Sequence, residues 1–167
     1  MTISPVAGLL LWGFIATLAM TATLQAAVGA GFSRMSLPFL VGSLFSGDRE
    51  RALIIGLAVY MLGGWLFAFF YFLLFASIDI YTWWFGALCG FLHGAMLLTT
   101  ALPLLPFIHP RMASEYHGVT ERRQLEPPGF LGLNYGRGTP ASALLAQVVY
   151  GATLGGFLQV HRAGGFW

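Results

Sequence analysis

WWFGALCGFLHGAMLLTTALPLLPF, residues Trp83–Phe107, decides the fold. It holds no Asp, Glu, Lys or Arg, and it exceeds the about 20 residues with which one helix crosses the roughly 30 Å hydrocarbon core of a bilayer. Three further stretches read the same way: Val6–Val28, Ala52–Ala76 and Pro140–Val160. Together they predict an all-α polytopic membrane protein with four transmembrane helices, a single transmembrane domain over residues 1–167, and loops at 31–51 and 108–139.

Composition agrees. Hydrophobic residues make up 57% of the chain and charged residues 8%, with a mean hydropathy of +0.77. The basic residues are arginines without exception: Arg34, Arg49, Arg51, Arg111, Arg122, Arg123, Arg137 and Arg162. A net charge of only +2, with the arginines flanking apolar spans, points to anionic headgroups and argues against nucleic acid. Seven of the eight lie in the two long loops, and the positive-inside rule therefore predicts that these loops are cytoplasmic. The N-terminus, the Ser77–Tyr81 connection and the tail ending Phe166–Trp167 are then expected outside. Trp83 and Trp84 suit an interfacial aromatic belt, whereas Trp65 lies too deep for one. No basic n-region precedes the first apolar run, which reads poorly as a cleavable signal peptide.

Element boundaries are marked by their usual residues. Ser4–Pro5 is expected to open the first span, Asp48 to cap the second, and Thr139–Pro140 to start the fourth. Pro103, Pro106 and Pro110 deprive span three of backbone donors, so its end is expected to kink or unwind. The Ser36–Phe45 run is too short to span and predicts a short interfacial helix. Arg111–Glu126 reads as a surface helix, and Pro127–Gly138 as turns. Gly13–Phe14–Ile15 resembles Gly90–Phe91–Leu92, and Val59–Tyr60 with Gly63–Gly64 resembles Val149–Tyr150 with Gly155–Gly156, which suggests two duplicated helical hairpins running in parallel.

Within the spans, spacing speaks first of packing. Gly86, Gly90 and Gly94 form a doubled G-x-x-x-G ridge, Gly151 and Gly155 form another, and Gly13 heads a similar row on span one, all of which favour close helix approach. Thr17, Thr21 and Gln25 share the row with Gly13, and Gln147 shares the one with Gly151, so these polar groups are expected to point into the bundle or toward a partner. His93, near the middle of span three, is the sharpest single residue, because an ionisable group in lipid is costly. A neutral imidazole bonded to Thr17, Thr21, Gln147 or Tyr150 accounts for it without metal or haem. Cys89 one turn away is a weak second ligand, and as the only cysteine it excludes an intrachain disulfide. His109, Glu115, His117 and Glu121 could gather near the end of span three, but a solvated surface helix explains them better. No G-x-S-x-G, phosphate-binding glycine loop or H-E-x-x-H occurs, so no enzyme, no cofactor and no metal are expected.

The Gly90–Phe91–Leu92–His93–Gly94 segment, His109–Pro110, the Pro128–Gly129–Phe130 to Asn134 stretch and Val149–Tyr150–Gly151 with Gly155 resemble small bacterial four-helix membrane proteins of the YagU-like inner-membrane group. The resemblance covers nearly the whole chain. It implies a bacterial inner-membrane location and supplies no activity. Some such sequences carry a histidine shortly before the span-four Tyr–Gly, where this chain has Gln147. Two functions remain. One is a structural or accessory subunit docking its glycine-rich faces on a larger membrane complex, such as an energy-transducing one. The other is a small homo-oligomeric transporter or channel with a polar path around Thr17, Thr21, Gln25, His93 and Gln147.

Overall fold

The computed structural model describes residues 4–114 and 118–163, which contain helices and no strand. The helices are α1 (Pro5–Gly29), α2 (Leu37–Gly42), α3 (Arg49–Ile78), α4 (Trp83–Met96), α5 (Leu102–Ile108) and α6 (Thr139–Ala163). A π-helical turn, Leu97–Ala101, joins α4 to α5, and a 3₁₀ stretch covers Phe130–Tyr135. Four stretches are long and apolar enough to cross a membrane: Val6–Gly29, Arg49–Ile78, Trp83–Ile108 and Thr139–Arg162. Glu115, His117, Phe166 and Trp167 lie outside the described residues.

Local chemistry explains most of the boundaries. The Ser4 hydroxyl accepts the Ala7 N–H at 3.3 Å, and the Asp48 carboxylate accepts that of Arg51 at 2.9 Å, capping α1 and α3. Thr139 departs from the expected cap, since its hydroxyl pairs with Ser33 at 2.8 Å. The helix of span three is widened rather than unwound. Leu102 donates its N–H to Leu97, five residues back, just before Pro103 removes the next donor. His109 ends α5 in an extended conformation (φ −84°, ψ 117°), as the residue before a proline must tend to do.

The surface helix expected over Arg111–Glu126 is absent from its described residues. Met112 and Leu125 form a β-bridge instead, with Leu125 N–H on the Arg111 carbonyl and Ala113 N–H on the Leu125 carbonyl, both at 3.0 Å. Pro110 on one side and Pro127–Pro128 on the other deny a helix its entry and exit hydrogen bonds, and the bridge satisfies the backbone another way.

The packing forms two compact units. The first comprises Met1–Leu24, Met61–Gly94 and Leu144–Trp167; the second comprises Gln25–Tyr60 and Ala95–Ala143. Glycine contacts organise the first. A Cβ on Gly86 would run into the Gly151 carbonyl, one on Gly151 into the Gly86 carbonyl, and one on Gly90 into the Gln147 carbonyl. Gly155 meets Thr82 in the same way, and Gly94 lies against the Gln147 side chain. At Gly86, Gly90 and Gly151 the contact between α4 and α6 is backbone against backbone, the closest approach two helices can make. In α1 and α3, Gly13 faces Trp65 and Ala68, and Gly64 faces Thr17. Around them Ala16, Thr17, Ala68, Phe75, Tyr150, Leu154 and Leu158 are buried.

In the second unit α2 presses on the start of α3. A Cβ on Gly42 would strike the Ala52 carbonyl and one on Gly56 the Pro38 carbonyl, so this short helix is held by two reciprocal glycine contacts. Gly129, Gly132 and Gly136 take positive φ around the 3₁₀ stretch, and Leu131 between them does so at 56°.

Gly86→Ala and Gly151→Ala should each destabilise the protein by about 1–3 kcal/mol, the usual range for overpacking. Gly63→Ala, whose new methyl would meet nothing within 4 Å, should cost nothing. Thermal unfolding in detergent reads the difference; equal melting temperatures for Gly86→Ala and Gly63→Ala would disprove the contact.

Candidate functional site

The first unit holds Thr17, Thr21, His93, Gln147 and Tyr150, and the geometry around His93 centres on residues the sequence did not single out. His93 faces the Tyr71 hydroxyl through Nδ1 at 3.3 Å, and its ring lies 4.3 Å from that of Phe67. Tyr71 in turn stacks edge-on against Tyr150 at 5.6 Å and Phe75 at 5.9 Å. Tyr71 is not among the partners that the sequence suggests for His93. The Thr17 hydroxyl donates to its own helix at Gly13 (2.7 Å), and Tyr150 donates to the Gly64 carbonyl (2.6 Å), joining α6 to α3. Thr21 likewise returns to Thr17 at 2.6 Å. Such back-bonding to the fourth residue before is the cheapest way for a threonine to satisfy its hydroxyl in an apolar medium.

Gln147 is buried, with its Oε1 enclosed and unpaired among the described residues, as is Nε2 of His93. Gln25, in the second unit, is exposed one turn before the end of α1 and does not point inward. Trp65, too deep for an interfacial belt, donates its indole N–H to the Leu10 carbonyl at 2.8 Å. Tyr71 and Trp65 are the residues missed by reading the sequence. Tyr71 lies seven positions after Gly64, two helical turns along α3, and that spacing was the available signal. Trp65, one position after Gly64, lies on a different face of the helix, and no spacing marked its bond to α1.

The second unit holds a tighter polar knot. His109 is 1% exposed. Its Nδ1 accepts the Arg111 backbone N–H at 3.1 Å, so the neutral ring carries its proton on Nε2, which lies 3.2 Å from the Leu40 carbonyl and 3.1 Å from the Ser43 hydroxyl. That tautomer is the wrong one for a serine nucleophile, because an Nε2 already protonated cannot take the Ser43 proton. The arrangement ties α2 to the end of α5. Arg111 reinforces it through Nη1, donating to the Ser43 carbonyl at 2.6 Å and the Leu44 carbonyl at 3.2 Å, where α2 leaves carbonyls unsatisfied. Arg123 donates to the Met112 carbonyl at 3.2 Å.

Burial holds the His109 imidazole below its ordinary value; Arg111 and Arg123 push the same way, opposed by the Leu40 carbonyl. In the first unit, the Arg162 hydrogen bond lowers the Asp79 carboxyl, the pair standing 2.6 Å apart. Among the described residues no three His, Cys, Asp or Glu side chains are grouped to hold a metal ion. His109 and Glu121 are described, while Glu115 and His117 are not.

Two outcomes follow. His93→Gln should preserve assembly better than His93→Leu, by roughly 1–2 kcal/mol at most, since glutamine keeps a polar atom for Tyr71; equal stability of the two variants would remove the hydrogen bond from the account. For His109 the folded state favours the neutral ring. Stability is therefore full above the unfolded value near 6.5 and falls as pH drops below it toward the lowered folded value, because the unfolded chain then binds the extra proton. His109→Gln should flatten this acid limb in thermal melts between about pH 7 and 5; an unchanged limb would contradict the assignment.

No family model, curated protein or solved structure matches the chain.

Proposed function

We propose that this chain is a structural or accessory transmembrane subunit of a larger membrane complex. The observation that carries this reading is where the intramembrane polar groups are spent. Thr17, Thr21, Thr23, Thr99 and Thr153 each donate to the carbonyl four residues back, and Tyr150 donates to Gly64. The threonine hydroxyls are thus satisfied within their own helices and Tyr150 ties α6 to α3, while the unpaired Nε2 of His93 and Oε1 of Gln147 are both enclosed; this supports a scaffold over the transporter or channel alternative.

The glycine ridges of α4 and α6 are filled by each other, so a partner would meet other surfaces. Helix α3 offers the largest. It is the least buried of the four spans, and Ile54, Leu62, Leu66 and Phe70 stand exposed. Lipid or a neighbouring apolar helix covers such a face equally well in composition. Extraction in mild detergent followed by mass measurement separates the readings: co-purifying foreign subunits support the accessory role, and a homo-oligomer alone supports the channel.

We further propose a bacterial inner-membrane location with both long loops in the cytoplasm. All seven loop arginines belong to the second unit, while Arg162 in the first is paired with Asp79, and this asymmetry supports the orientation. In a Cys89→Ser background, Ser114→Cys should be protected from an impermeant thiol reagent in intact cells and Ser77→Cys labelled. Labelling of Ser114→Cys from outside would reverse the topology.

A further inference from the structure

The second unit contains a cleft of about 570 Å³ that the packing of α2 leaves open beside the Arg111 knot. Its walls combine three chemistries. Phe39, Pro110 and Leu125 are apolar; Ser46 and Gln124 are neutral polar; Arg111, Arg122 and Glu121 are charged. Arg111 spends Nη1 on the Ser43 and Leu44 carbonyls, and its Nε and Nη2 donors have no partner among the described residues. Arg122 is exposed and makes no ion pair or side-chain hydrogen bond with the described residues. The position along the chain matters as much as the lining. Pro110 and Arg111 lie two and three residues after the apolar span ending at Ile108, and Ser46 and Gly47 three and two residues before the one beginning at Arg49, so both edges of the cleft fall where a bilayer gives way to its headgroups.

We propose that this cleft seats the phosphodiester headgroup of a membrane phospholipid, and that it prefers a headgroup bearing a primary ammonium. A phosphate oxygen pair suits the guanidinium forks of Arg111 and Arg122, which bind such groups through two parallel N–H bonds. Glu121 would oppose a purely anionic headgroup, but one carrying an ammonium two carbons from the phosphate satisfies it. The apolar side formed by Phe39, Pro110 and Leu125 then accepts the glycerol backbone and the start of the acyl chains. A free phosphate offers the same oxygens to the arginines and nothing to that apolar side or to Glu121.

The test is native mass spectrometry of the purified full chain, released from detergent after incubation with palmitoyl-oleoyl phosphatidylethanolamine or the matching phosphatidylglycerol. The expected result is one phosphatidylethanolamine retained per chain, with affinity lowered about tenfold by Arg122→Gln, the loss of one charge-assisted contact, and partly restored by Arg122→Lys. Glu121→Gln should abolish the preference for phosphatidylethanolamine over phosphatidylglycerol while leaving binding itself intact. Arg122 and Glu121 are both exposed, and unchanged melting of their variants verifies the fold. Equal retention by the original chain and Arg122→Gln, or a preference for phosphatidylglycerol, would overturn the proposal. Displacement of the lipid by inorganic phosphate at equal concentration would assign the cleft to a soluble phosphate and overturn the lipid assignment.

Discussion

The approach of one backbone to another, with no side chain between them, is the constraint on which this structure depends. Between apolar helices in an apolar solvent, burial of hydrocarbon supplies little net attraction, so association draws on dispersion at short range. Gly86, Gly90, Gly151 and Gly155 bring α4 and α6 to that range in the first unit, and Gly42 with Gly56 does the same for α2 and α3 in the second. The aromatic side chains then fill what the glycines leave, as in the parallel stacking of Trp12 on Phe157 at 4.0 Å.

Polar side chains play a second part, and it differs between the units. In the first they bond over short distances to their own helices or, through Tyr150 and Trp65, to the carbonyl of a neighbour. In the second they fasten loops. Ser33 joins Thr139, the Arg34 guanidinium donates to the Asn134 carbonyl at 2.7 Å, and the Tyr135 hydroxyl donates to the Glu126 carbonyl at 2.6 Å. A loop without regular structure beside a membrane must satisfy its backbone from within, and these side chains do so.

The helices were legible because their signal is length and apolarity, which need no knowledge of neighbours. Predicted and observed spans differ by no more than three residues at any end, α3 starting at Arg49 where Ala52 was expected. The short α2 was equally visible between Ser36 and Phe45. Partners were not. Whether His93 meets Thr17 or Tyr71 depends on the rotation of α3, and the near-uniform apolarity of that helix hides its inward face. The Arg111–Glu126 segment failed for a related reason: polarity suggested a helix, but the flanking prolines and a bridge between residues thirteen positions apart, Met112 and Leu125, decided otherwise.

The π-helical turn at Leu97–Ala101 sets an angular phase. A turn closed by a bond five residues back holds one residue more than its α counterpart, and each residue of an α-helix advances the azimuth by about 100°. Leu102–Ile108 and the His109 that follows are therefore rotated by about that angle from where an unbroken α-helix would have carried them. A chain one residue shorter here would keep its hydropathy, its length and its prolines, yet would present a different edge of the helix to α2. The meeting of His109 with Leu40 and Ser43 is thus fixed by a count of residues as much as by their chemistry.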